Sequence, residues 1–113
     1  MPEDLNKKVP KTAEHVREIL ATIKKSAPGG AVEIRIPLYG AIQCVAGAKH
    51  RRGNPANQVE MRAEVLIQLA KDPLLWSSLL KSGQIQASGQ LSDLSQVFIT
   101  AFQEVSKDSW FRD

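Results

Sequence analysis

The sequence predicts an α+β domain in which a sheet is covered by helices segregated to one side. Three observations predict it. Apolar residues recur at helical spacing over Val16–Ile23, switch to strict alternation over Val32–Ile36, and return to helical spacing after Ala63. Residues 1–11 read as a loose polar arm, 12–106 as one domain and 107–113 as a C-terminal tail.

The elements follow in order. Thr12 can cap the free N–H groups of a first helical turn, and Val16, Ile19, Leu20 and Ile23 then form one apolar stripe. Lys24 and Lys25 fall in its last turn, where cations complement the helix dipole, and Ser26–Gly30 ends it. Val32, Ile34 and Ile36 alternate with Glu33 and Arg35 as in a half-buried strand, and Pro37 closes the run. Gly40 permits a turn into Ala41–Ala46, with Ile42, Cys44 and Ala46 on one face, so the two runs read as a hairpin.

Residues 48–56 form a polar, basic loop broken by Gly53 and Pro55. Asn57–Met61 is a third strand, and Leu66, Ile67, Leu69 and Ala70 mark a second helix. Asp72-Pro73 is a strong helix start, and Gly83 is its stop. Gln84–Ser88 is a further strand. Asp93, with Gln96 three residues on, opens a last helix whose stripe is Leu94, Val97, Phe98, Ala101, Phe102 and Val105.

Composition narrows the function classes. A chain of 113 residues fits one domain. Its single cysteine, Cys44, excludes an internal disulfide framework and suits a reducing, cytoplasmic compartment. No apolar run is long enough to span a membrane, and the polar first residues do not read as a signal peptide. No two of Cys44, His15 and His50 stand at a zinc spacing, so no metal is expected. Pro28-Gly29-Gly30 follows a helix and precedes a strand, the reverse of a phosphate-cradling loop, and no cofactor is expected. No motif brings a serine to either histidine, so no catalytic residues are expected. The charge is uneven: residues 1–56 carry ten Lys/Arg against five Asp/Glu, and the remainder five against seven. Its densest point is Lys49-His50-Arg51-Arg52, which could hold a phosphate, a carboxylate or a lipid headgroup.

The residues also carry a family resemblance. Val32–Pro37, Tyr39–Gly47, His50–Asn57, Val59–Met61, the Trp76 helix and Ala87–Gly89 followed by Asp93–Ser95 occur in an order that resembles the short, actinobacterial sterol-carrier-protein-like family. The likeness runs from about Val16 to Val97. It implies the sterol-carrier fold: a mostly antiparallel sheet of about four to five strands under helices, with an apolar tunnel between them. It also implies non-catalytic binding of sterols, fatty acids, fatty acyl-CoA or phospholipids. Family members usually show Gly-Pro before the histidine and Thr-Arg-Gly after it. Here Ala48-Lys49 and Arg51-Arg52-Gly53 make the loop more basic.

The resulting expectation is a carrier of a lipid or other apolar small molecule. Ile34, Ile42 and Cys44 would floor its pocket. Leu66 and Leu69, then Trp76 and Leu79, then Val97, Phe98 and Phe102 would supply the helical walls. His50, Arg51 and Arg52 would meet an anionic headgroup at the rim, with transient contact to a membrane surface. Two other readings stand beside it. One is an interaction module with a filled core that forms a homodimer through apolar helix faces. The other is an accessory nucleic-acid binder, against which the chain lacks a wide basic face interleaved with aromatics.

Overall fold

A computed structural model describes residues 2–47 and 56–102, with side chains from Thr12 onward. The first helix, α1 (Pro2–Ser26), buries Val16, Ile19, Leu20 and Ile23 as their spacing requires. It starts at Pro2 and not at Thr12, so residues 2–11 continue the helix where a loose arm was expected. Pro10 lacks the N–H that an interior helical position uses, which makes the sequence read as a fresh start at Thr12.

Strands β1 (Val32–Ile36) and β2 (Gly40–Cys44) form the expected hairpin, with Val32 opposite Cys44, Ile34 opposite Ile42 and Ile36 opposite Gly40. The second strand stops at Cys44 rather than Ala46. Val45 takes φ +71°, and both of its backbone groups leave the sheet. Its N–H donates to the Ala27 carbonyl at 2.7 Å, and its own carbonyl accepts from the Ala31 N–H at 3.0 Å. Strand β3 (Gln58–Met61) lies on the far side of β1 and runs parallel to it, with Ile34 beside Val59.

Helix α2 (Ala63–Lys71) follows at once. The helix expected after Asp72-Pro73 divides into a 3₁₀ turn, Pro73–Leu75, and a short α3 (Trp76–Lys81). Asp72 caps the turn by accepting from the Leu74 N–H at 3.2 Å, and the Leu75 N–H closes it on the Asp72 carbonyl at 3.1 Å. With this tighter winding Pro73 and Trp76 are both buried and Leu74 is left outside. Strand β4 (Ile85–Ser88) pairs antiparallel with β3, and α4 (Ser95–Phe102) is capped by Asp93, whose Oδ1 accepts from the Ser95 N–H at 3.0 Å. Val105 and the tail lie outside the described residues.

The sheet order is β2-β1-β3-β4, with β1–β3 parallel and the other two pairings antiparallel. Its inner face carries Val32, Ile34, Ile36, Cys44, Val59, Met61 and Ile85, all buried under the helices. Arg35, Gln86 and Ser88 of the outer face are exposed, and Arg35 donates to Glu33 along it at 3.2 Å. This is the α+β arrangement expected, with the helices on one side. None of the described helices is long and apolar enough to cross a membrane.

Asn57, one of two buried polar residues in the described core, joins three loops. Its Nδ2 donates to the Ala31 carbonyl at 3.0 Å, its Oδ1 accepts from the Leu91 N–H at 2.8 Å, and its carbonyl accepts from the Glu33 N–H at 3.0 Å. Asn57→Ala strands the first two partners, and is expected to cost about 2 kcal/mol. The measure is a lowered urea midpoint at unchanged slope; an unshifted midpoint would remove Asn57 from this role.

Candidate functional site

The residues expected to line a pocket are brought together, as packing. Ile34, Cys44, Leu66, Leu69, Phe98 and Phe102 are closed to solvent, and Trp76 and Leu79 are buried beside them. Ile42 and Val97 are partly buried against the same cluster. Trp76, Phe98 and Phe102 stand in a row, with ring centroids 6.0 and 5.9 Å apart, inside the range of favourable aromatic pairs. Open space lies at the edges of this core: Ile42 lines one cleft and Trp76 another. His50, Arg51 and Arg52 lie outside the described residues.

The first cleft, of about 380 Å³, runs between α1 and the edge strand β2. Its floor is apolar, made by Val16 and Leu20 of the helix and Ile42 of the strand, with Ala13, Ala21 and Ala41 keeping it open. Arg17 and Lys24 rise from the same helix, and Tyr39 borders it on the hairpin. Helix and strand run in the same direction, because the backbone tie between Ala27 and Val45 joins their C-terminal ends. Arg17 therefore stands toward the hairpin tip. Lys24, about 10 Å further along the axis, stands near Cys44, whose thiol feels its charge.

Sequence reasoning read Val16 and Leu20 as core and missed this face. The signal was present. Ala13, Arg17, Ala21 and Lys24 are spaced four, four and three apart, a small-and-cationic stripe beside the apolar one.

The hairpin tip is unusual. The Tyr39 N–H donates to the Ile36 carbonyl at 2.9 Å, with Pro37 second and Leu38 third in the turn. Leu38 has φ +76°, a position of the type II turn that favours glycine or asparagine, and a side chain there costs about 1–2 kcal/mol. Leu38 is also 99% exposed.

The second cleft, of about 410 Å³, lies where the 3₁₀ turn, α3, β4 and α4 meet. Leu74, Trp76, Leu80 and Ile99 give it apolar surface, but Ser77, Ser92, Ser95 and Asp93 share its wall. Hydrogen bonds from Ser95 hold the Asp93 carboxyl below its ordinary range, so this cleft carries a fixed negative charge at neutral pH. Among the described residues, no three His, Cys, Asp or Glu side chains gather as a metal ion would need.

Cys44 behaves as a small hydrophobe. Burial raises its thiol to about 11, and Lys24 opposes the shift only in part. The native state then keeps a proton that the unfolded chain loses from about pH 9 upward. This contribution to stability is complete below pH 9 and is lost as pH rises toward 11. Folded protein should react with a thiol reagent at pH 8 far more slowly than protein in urea; equal rates would show Cys44 to be accessible.

The chain matches the family model described as "Bacterial SCP ortholog" over residues 8–99. Among solved structures it is similar to sterol carrier protein 2 from Yarrowia lipolytica in its apo form. The identity is 12%, the TM-score is 0.41, and the match covers 81% of this chain and 77% of that one. No curated protein matches it. With the family model matched over most of its length, the chain belongs to the bacterial SCP ortholog family.

Proposed function

We propose that the protein binds and carries a lipid or similar apolar small molecule, without chemistry, in the cleft between α1 and β2, in the cytoplasm. The observation that carries this reading is the cleft's composition. An apolar floor of Val16, Leu20 and Ile42 lies beneath two exposed cations, Arg17 and Lys24. That suits a molecule with an apolar body and an anionic or polar end. Its volume of about 380 Å³ lies near the lower end of small-ligand sites. Each methylene buried there would contribute about 0.8 kcal/mol before ordering costs. A chain of six methylenes would thus supply about 5 kcal/mol gross. The second cleft is the poorer candidate, because Asp93 would repel an anionic end.

Family membership and the resemblance to sterol-carrier-like proteins agree with this reading. The homodimer reading, through apolar helix faces, draws on Leu74 and Leu80, which are exposed. Transient membrane contact through His50, Arg51 and Arg52 remains part of the proposal for residues outside those described.

The test fills one cleft at a time. Ala21 is exposed and lines the first cleft, so Ala21→Trp should fill it without disturbing the core. It is expected to lower uptake of a fluorescent fatty acid at least tenfold, with little change in melting temperature. Ser77→Trp, in the second cleft, should leave uptake unchanged. The reverse pattern moves the site to the second cleft, and no uptake by the unaltered protein overturns the reading.

A further inference from the structure

We infer that the β-hairpin tip, Pro37–Tyr39, is a docking element that seats the protein on a phospholipid bilayer surface, with the mouth of the α1–β2 cleft against the lipid. The inference rests on the carrier reading for its purpose, but on separate observations for its geometry.

Leu38 occupies a left-handed backbone position that glycine or asparagine would take without strain, and almost all of its side chain is in water. Neither packing nor turn chemistry accounts for a leucine there. Strain held at a wholly exposed apolar residue points to a partner outside the fold. Tyr39, beside it, is also exposed and borders the cleft, so the tip and the cleft mouth are continuous. An apolar body with a polar tip suits the boundary between headgroups and acyl chains.

Two arginines stand at this end. Arg17 stands on the cleft's near side. Arg62 follows β3 at the same end of the sheet and lines a groove with Pro37, where Glu60 is its acidic neighbour. Guanidinium groups bind phosphates through paired donors. Glu64 lies 3.6 Å from Arg62 but both are largely exposed, so that pair is solvated and Arg62 can exchange partners. The tip therefore offers an apolar point flanked by two guanidinium groups that a lipid phosphate could engage. A carrier needs such a surface, because a lipid is scarce in water and must be collected from a bilayer.

The experiment is flotation of the full chain with vesicles of phosphatidylcholine containing phosphatidylglycerol. The unaltered protein should float with the vesicles. Leu38→Asn suits the turn and removes the apolar point, and it should lower partitioning at least tenfold. Its melting temperature should hold or rise, which separates lost docking from lost fold. Leu38→Trp should restore flotation. Fatty-acid uptake in vesicle-free buffer reads the cleft alone and should be the same in Leu38→Asn. Flotation without such uptake would sink the carrier reading and leave the tip standing. Uptake without flotation would do the opposite. Flotation indifferent to Leu38→Asn, or a concentration-dependent dimer that Leu38→Asn dissolves, would overturn the inference.

Discussion

Everything at the candidate site depends on how the C-terminal end of α1 is fastened to the sheet. Val45 leaves its strand with φ +71° and ties its two backbone groups to Ala27 and Ala31. Gly29 allows this, since a Cβ there would run into the Val45 carbonyl. Asn57 holds the Ala31 carbonyl from the other side and reaches Leu91 beyond β4. Gly89 leaves room for it, because any larger residue would meet Asn57 itself. A β-branched residue in the left-handed region and a buried amide are both costly alone. They persist because each satisfies backbone groups that the turn between helix and sheet would otherwise bury unpaired.

This fastening sets the cleft. With the C-terminal ends of α1 and β2 joined, the helix lies along the edge strand. Alanines at Ala13, Ala21 and Ala41 then leave a channel where larger residues would pack. The core beneath is closed by Trp76, Phe98 and Phe102 against the inner face of the sheet. The interior supplies stability, and ligand-sized space is left at its margin. The same geometry sends the hairpin tip beyond the sheet, next to the cleft mouth.

Much of the fold was legible in periodicity. The stripe of Val16, Ile19, Leu20 and Ile23, the alternation of Val32, Ile34 and Ile36, and the caps at Asp72 and Asp93 are signals contained within one element, and an element formed at each, after Asp72 as a 3₁₀ turn leading into α3. Where the reading went astray, a single residue misled it. Pro10 looked like a boundary within a continuous helix. Val45 looked like a strand residue, because nothing local reveals that its carbonyl is needed by Ala31. The candidate pocket residues were recognised as apolar and inward. Whether inward residues face a tunnel or one another depends on how closely helices and sheet approach, which no pattern records.

By itself the sequence determined the order of the elements, the buried faces of α1, β1, α2 and α4, the absence of a disulfide framework and the sterol-carrier-like resemblance. These are properties of residue type and of spacing along one chain segment. Only the tertiary structure decided that β3 lies parallel to β1, that the expected pocket residues pack against one another, and that the open cleft falls between Val16–Lys24 and Tyr39–Ile42. Those outcomes turn on contacts between segments far apart in sequence. Such contacts are set by the bond network around Val45 and Asn57, and neither residue announces its partner in the residues beside it.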